Sequence, residues 1–235
     1  MLYRLKQRVH YAVVMVLNSN RMTRKILSRW RQYKKKEARK ALQENGIATT
    51  ESFIDSASRC GINVFPLFGS LLGIVRDCSY MQHDDDIDMG VIVDESFEWD
   101  EFIKFMELKG FKPIRSFGFD NCITECTFYS KSIEIDVFGL FPQTNGKLRA
   151  FLYRLNDGVV HDNYDERSVL FMDIPIISEY IPIQVQSSLI SIPKNFDDLL
   201  TTMYGNGWRI PDPTWQTGTG WTRIKDTTGY KITID

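Results

Sequence analysis

Apolar positions recur along this chain with two periods, and the switches between them mark out its elements. Leu2, Leu5, Val9, Val13 and Val16 are spaced as one face of a helix, with Arg4, Lys6 and Arg8 mostly outside that stripe. A second basic helix is predicted from about Thr23 to Leu42, with Ile26, Leu27 and Trp30 on one side, and Gly46 is expected to close this arm. Thr49 and Thr50 then offer N-caps for a helix carrying Phe53, Ile54, Ala57 and Cys60, which Gly61 ends. Ile62–Phe68 reads as a buried strand, followed by Gly69-Ser70 and a short helix through Leu71, Leu72 and Val75. Ile87–Val93 is a second strand. Phe97–Leu108 is a helix with Phe102, Ile103 and Met106 inward and Gly110 at its C-terminal end. Cys122–Tyr129 and Ile133–Phe138 form two more strands around a turn at Ser130–Ser132. Pro, Gly and aromatic residues loosen the pattern beyond, except for a helix near Phe196–Tyr204. This order predicts an α/β or α+β fold, a mixed sheet flanked by helices, with a basic helical arm before it.

Charge sharpens that division. The net charge of −1 conceals 13 Lys and Arg against one acid, Glu37, in residues 1–43, and 16 against 29 in the rest. We therefore divide the chain into a basic helical arm, residues 1–45, and a folded domain, residues 46–235. At 235 residues and 43% hydrophobic content the chain can bury a sizeable core, and its 15 Phe argue against disorder. The arm fits peripheral membrane contact through residues 1–43, lying in the plane of an anionic membrane, and equally a helical hairpin packed on the domain with its basic face solvated. No span is long enough to cross a bilayer: the best apolar run, Tyr11–Leu17, falls far short of the ~20 residues required. That run lacks an Ala-x-Ala cleavage site and His10 interrupts it, which argues against a signal peptide. Four Cys, with no CxxC, are too sparse for a disulfide scaffold and read as buried or half-buried free thiols. The expected location is the cytoplasm, or the inner face of its membrane. No nucleic-acid module accompanies the basic arm and the acidic remainder would repel a phosphate backbone, so nucleic acid is not an expected partner.

The chemistry concentrates in His83-Asp84-Asp85-Asp86-Ile87-Asp88-Met89-Gly90. On a strand, Asp86 and Asp88 point to one face and Ile87 and Met89 to the other. Two carboxylates side by side repel, and a divalent cation is the natural compensation; oxygen ligands without Cys suit Mg²⁺ or Mn²⁺. Ile133-Glu134-Ile135-Asp136-Val137 repeats the alternation. If this strand lies beside the first, Asp136 completes a cluster of three carboxylates able to hold a metal or deprotonate a hydroxyl, with Glu134 on the same face. Phe68-Gly69-Ser70-Leu71-Leu72-Gly73 supplies a glycine that lets backbone approach a phosphate, at a helix start whose N–H groups are unsatisfied. Arg76 offers a cation to the same phosphate. Singly, an acidic run is a solvated turn and a Gly-Ser is a cap. Three such segments in order, each abutting an apolar strand, are hard to explain as surface. An EF-hand is excluded, since Met89 stands where the loop's glycine belongs.

The longer segments Phe68-Gly69-Ser70-Leu71-Leu72-Gly73-Ile74-Val75-Arg76 and His83 to Gly90 resemble the LicD/fukutin family of the nucleotidyltransferase fold. Tyr204-Gly205-Asn206-Gly207-Trp208-Arg209-Ile210-Pro211 is similar to that family's closing motif. The resemblance spans about residues 48–215 and departs at Gln82, where many members carry Trp or Pro. It implies transfer of phosphocholine, an alditol phosphate or a similar substituted phosphate from a CDP-linked donor to a carbohydrate acceptor hydroxyl, with release of CMP. By resemblance Asp86 and Asp88 would hold Mg²⁺ on the donor diphosphate, and Asp136 would complete the cluster or act as base. Ser70 and the Gly69 backbone would contact phosphate, Arg76 would help neutralise it, and Asp84 would be a further ligand or support. The same signature also fits a nucleotidyltransferase that releases pyrophosphate, or an inactive binding subunit of a glycan-assembly complex.

Overall fold

A computed structural model of the chain describes residues 21–155, 165–216 and 218–234; the helix expected over residues 1–17 lies outside them. The first helix, α1 (Arg21–Ser58), is a single element of 38 residues, about 57 Å long at ~1.5 Å per residue. The break expected at Gly46 is absent, and Thr49 and Thr50 cap nothing. Packing is the reason. A Cβ at Gly46 would sit 2.7 Å from the ring of Tyr80, so the glycine permits close approach inside a helix instead of ending one. Thr50 turns its hydroxyl back to the Gly46 carbonyl at 3.0 Å and also meets the Tyr80 hydroxyl. The C-terminal half of α1 buries Leu42, Ile47, Phe53 and Ala57 in the core. Gln43 Nε2 donates to the carbonyls of Tyr80 and Met81 at 3.2 Å each. The 45/46 division read from charge thus falls inside one helix, and the core already holds Leu42.

Eight strands build the main sheet: β1 (Val64–Pro66), β2 (Asp86–Ile92), β3 (Lys112–Phe119), β4 (Cys122–Ser130), β5 (Ile133–Pro142), β6 (Lys147–Arg154), β7 (Glu166–Pro175) and β10 (Thr222–Thr233). Their order is β1-β2-β5-β4-β3-β10-β7-β6, and the end of β5 also pairs with β6 through Phe141 and Pro142. That extra pairing closes six strands into a ring, with β2 and β1 extending from it. Among the described residues only β2 and β5 run parallel; every other pair of neighbours is antiparallel. A separate hairpin, β8 (Tyr180–Val185) with β9 (Ser188–Pro193), packs on α1 and β1. The remaining described helices are α2 (Phe68–Asp77), α3 (Trp99–Leu108) and α4 (Phe196–Tyr204). The fold is therefore the expected mixed α/β arrangement, a large sheet flanked by helices.

The core lies between the sheet and α1. Ile87, Met89, Ile135 and Val137 are fully buried on the face of β2 and β5 that α1 covers. Phe53 of α1 meets Phe111 and Phe128 edge-on, with ring centroids 4.8 and 5.6 Å away. Each such side chain contributes on the order of 1.5–3 kcal/mol by burial. All four cysteines are free thiols; Cys126 is buried and Cys60 half-buried, while Cys78 and Cys122 are exposed, against expectation. No helix among the described residues is long and apolar enough to cross a membrane.

Candidate metal and phosphate site

The period of two on β2 and β5 places the acids. With Ile87, Met89, Ile135 and Val137 committed to the core, Asp86, Asp88, Glu134 and Asp136 must occupy the other face. The parallel register sets Asp86 opposite Glu134 and Asp88 opposite Asp136. Asp86, Asp88 and Asp136 each offer a carboxylate oxygen, and the three atoms lie within 4.8 Å of one another.

Three bonds stitch β2 to the entry of α2. Gly69 N–H donates to Asp88 Oδ2 at 3.0 Å, Asp88 N–H donates to Ser70 Oγ at 2.7 Å, and Leu67 N–H donates to the Asp88 carbonyl at 3.0 Å. The start of α2 therefore faces the Asp88 carboxylate, where its partial positive charge favours an anion. A Cβ at Gly69 would come within 3.2 Å of Asp88 Oδ2 and 3.8 Å of Asp84 Oδ2. The glycine keeps that contact open, and the same numbers bring Asp84 to the site's edge. Ser70 is only 2% exposed. Its hydroxyl accepts from Asp88 and reaches the buried Tyr80 hydroxyl, so it holds Asp88 in place.

The field at the cluster is uneven. Burial, and then the charges of Asp136, Asp85 and Asp84, push the Asp86 carboxyl up to about 7. Burial and Asp86 push Asp88 well above the usual carboxylate range. Asp136 is raised by burial too, but the Arg115 guanidinium and the hydroxyl of Thr127, which donates to Asp136 Oδ1 at 2.5 Å, oppose the rise. Arg115 Nη2 lies 2.6 Å from Glu134 Oε2 and 3.5 Å from Asp136 Oδ1. Among the described residues no Lys or Arg forms an ion pair with Asp86 or Asp88. Buried carboxylates without a countercharge must be protonated or bridged by a cation. An all-oxygen donor set of this spacing fits a hard divalent ion.

The other expected site residues divide. Arg76 forks onto its neighbour Asp77, with Nε and Nη2 at 2.9 and 2.8 Å, while staying within the field of Asp84 and Tyr204. Asp84 is held above its ordinary range chiefly by burial. Asp85 leaves the cluster and pairs with Lys35 of α1 at 3.3 Å. Four residues at the site escaped the sequence reading. Arg115 stands on β3, a strand that the pattern did not reveal. Thr127 and Glu125 share one side of β4, and their alternation with buried Cys126 and Phe128 was a usable signal. Glu125 is buried and its carboxyl raised well above the usual range, by burial first and Asp136 next. Tyr204, at the end of α4, is raised by burial and by the fields of Asp88 and Asp84.

With this geometry in place, a comparison with known families becomes informative. Residues 61–162 match the family model described as LicD/FKTN/FKRP, nucleotidyltransferase domain. The chain carries a LicD-family nucleotidyltransferase domain. No curated protein matches the chain. The matched LicD span begins just before β1 and runs past β6, so it contains Gly69, Asp86, Asp88 and Asp136 and all the strands that place them. A LicD domain over this span points broadly to phosphotransferase chemistry in glycan modification. Tyr204 and β10 lie beyond the matched span.

Proposed function

We propose that this protein transfers a substituted phosphate, such as phosphocholine or an alditol phosphate, from a CDP-activated donor to a sugar hydroxyl of a glycan, releasing CMP. The observation that carries this reading is the parallel register of β2 and β5, which brings Asp86, Asp88 and Asp136 within one ion's reach. These three would hold Mg²⁺ or Mn²⁺, which when bound supplies the positive charge that a diphosphate and its departing CMP require. The protein's own groups do the rest. The first turn of α2, opened by Gly69, presents its N–H groups and partial positive charge toward the donor phosphates. Ser70 acts through Asp88, whose N–H it accepts. Arg76 and Asp84 border the phosphates, Arg76 as a cation steadied by Asp77. In the step itself the sugar oxygen bonds to the distal phosphorus, the bond from that phosphorus to CMP breaks, and the hydroxyl proton passes to a site carboxylate or to water.

The test is a product assay with CDP-choline, CDP-ribitol, CDP-glycerol and CDP-ethanolamine against candidate acceptor sugars, in the presence of Mg²⁺ or Mn²⁺. CMP release that needs both acceptor and metal supports the proposal. Pyrophosphate release from a nucleoside triphosphate would replace it with nucleotidyl transfer. Donor binding without any turnover would indicate an inactive binding subunit.

A further inference from the structure

We infer that the outer face of the N-terminal part of α1, from Ile26 to Lys40, seats on an anionic phospholipid surface, which holds the transfer site beside the membrane. At about 100° per residue, Ile26, Trp30 and Tyr33 fall in one narrow stripe on the side of α1 opposite Leu42 and Phe53. The latter two are buried in the core, whereas Ile26, Trp30 and Tyr33 are 59%, 55% and 59% exposed. Large apolar side chains exposed in a row along one helix mark an interaction surface. Exposed Arg29, Lys36 and Lys40 flank the stripe on one side, and Lys34 flanks it on the other, with its Nζ 5.8 Å from the Trp30 ring centre. An aromatic and aliphatic stripe between basic rows is the pattern of a helix lying in a membrane interface, rings among the headgroups and cations on the lipid phosphates.

Charge selects the occupant. Residues 21–43 carry ten Lys and Arg against one acid, Glu37, which falls in line with the stripe one turn beyond Tyr33. A second copy of the chain would bring the same basic face. Residues 1–20 carry Arg4, Lys6 and Arg8 and no acid, so they offer no charge that could neutralise it. An anionic lipid surface complements both the charge and the exposed apolar stripe. The face that α1 turns to the body does different work. Lys35, on that side, pairs with Asp85 at 3.3 Å, in the run of acids that leads into β2. The helix that meets the membrane is therefore fastened directly to the loop preceding Asp86, and an acceptor presented from the same surface would reach the site without the protein leaving it. This last consequence rests on the proposed transfer; the docking surface does not.

The experiment is vesicle co-sedimentation of the full chain, with phosphatidylcholine vesicles and with phosphatidylcholine containing about one-third phosphatidylglycerol. Wild-type protein should partition at least tenfold more strongly into the anionic vesicles, and high salt should release it. The variant Ile26→Ser/Trp30→Ser/Tyr33→Ser should lose about tenfold or more of that binding, and Lys34→Glu/Lys36→Glu/Lys40→Glu a comparable amount. All six positions are exposed, so the melting temperature of each variant should match wild type. Equal binding to neutral and anionic vesicles, or wild-type binding by the Ser variant, overturns the inference. So does preferential binding of the same face to RNA, or a concentration-dependent dimer that the Ser variant abolishes. Turnover plays no part in this measurement. Loss of CMP release with vesicle binding intact counts against the proposed transfer alone, and the reverse counts against the membrane surface alone.

Discussion

β2 and β5 run side by side in parallel and carry acids at matched register, yet their carboxylates live in opposite fields. On β5, Glu134 and Asp136 share the Arg115 guanidinium, and Asp136 also takes a hydrogen bond from Thr127. On β2, Asp88 has the Gly69 N–H and the start of α2, and Asp86 has no cation among the described residues. The protein compensates β5 with its own atoms and leaves β2 in deficit. A site whose purpose was stability would be neutralised throughout. The unbalanced half is the half open to a partner from outside, and under the proposed transfer that partner is a divalent cation with the diphosphate it accompanies.

The largest effect should follow from removing charge on the deficit side. Asp86→Asn or Asp88→Asn should lower CMP release by roughly three orders of magnitude, because each removes both a ligand atom and half of the local negative charge. Mn²⁺ binding, measured by titration calorimetry, should weaken in parallel. Wild-type activity in either variant, or indifference of the wild type to a chelator, would remove the metal from the account.

On the compensated side the loss should be smaller. Asp136→Asn should lower turnover by roughly a hundredfold, while donor affinity falls less, since Asp86 and Asp88 remain. An acid that merely sat on an exposed strand face would give a change within about 0.5 kcal/mol and full activity. Measuring donor affinity and rate together separates the two, and full activity would place Asp136 outside the site.

How much of this was legible beforehand follows from where the constraints lie. Ile87, Met89, Ile133, Ile135 and Val137 alternate strictly with acids, so the strands, their buried face and the three carboxylates could be read from the sequence alone. Helix α4 was legible from its own period. Gly46 misled because a glycine in a basic helix looks like a stop, and only the Tyr80 ring, far along the chain, explains its presence. β3 was hidden by Pro113 and Gly118, which lie at its register shifts, and with it Arg115. β10 was invisible because a half-exposed polar strand has no core period to show. Yet it pairs with both β3 and β7 and so lies inside the sheet.

The imbalance should also appear as stability without any substrate. Asp86 titrates near 7 in the folded protein and near 3.8 when unfolded. An acid whose pKa is raised by folding destabilises the fold as it ionises, so the metal-free protein should lose stability as pH rises from about 4 through 7. In chelator the melting temperature should fall between about pH 5 and pH 8. The difference from Asp86→Asn should be about 1–3 kcal/mol, or ~3–10 °C for a chain of this size. Carboxyls lowered by their partners, such as Asp173 beside Arg149, lose their contribution only at more acid pH and do not mimic this window. Saturating Mn²⁺ should flatten the fall in wild type and do less for the variant, whose site binds the ion more weakly. A flat profile in wild-type chelated protein would mean that Asp86 is already compensated by some group of the chain.

The smallest effect tests where the site ends. Glu134 shares the face of Asp86, Asp88 and Asp136, and strand alternation alone would admit it to the cluster. It differs in two respects. Its side chain is 41% exposed, against 13% for Asp136, and its carboxylate is taken by Arg115 at 2.6 Å. An exposed pair of this kind contributes on the order of 0.2–1 kcal/mol. Glu134→Gln keeps the shape and the ability to accept a hydrogen bond from Arg115 but removes the charge. Arg115 would then turn its full charge on Asp136, which lies 3.5 Å away. The expected result is a change of no more than about threefold in turnover, a melting temperature within ~2 °C of wild type, and a modestly weaker metal affinity as Asp136 becomes better neutralised. A loss of turnover as deep as that of Asp136→Asn would show that Glu134 belongs to the cluster, and the boundary between the compensated and deficient acids would have to be redrawn through Arg115 itself.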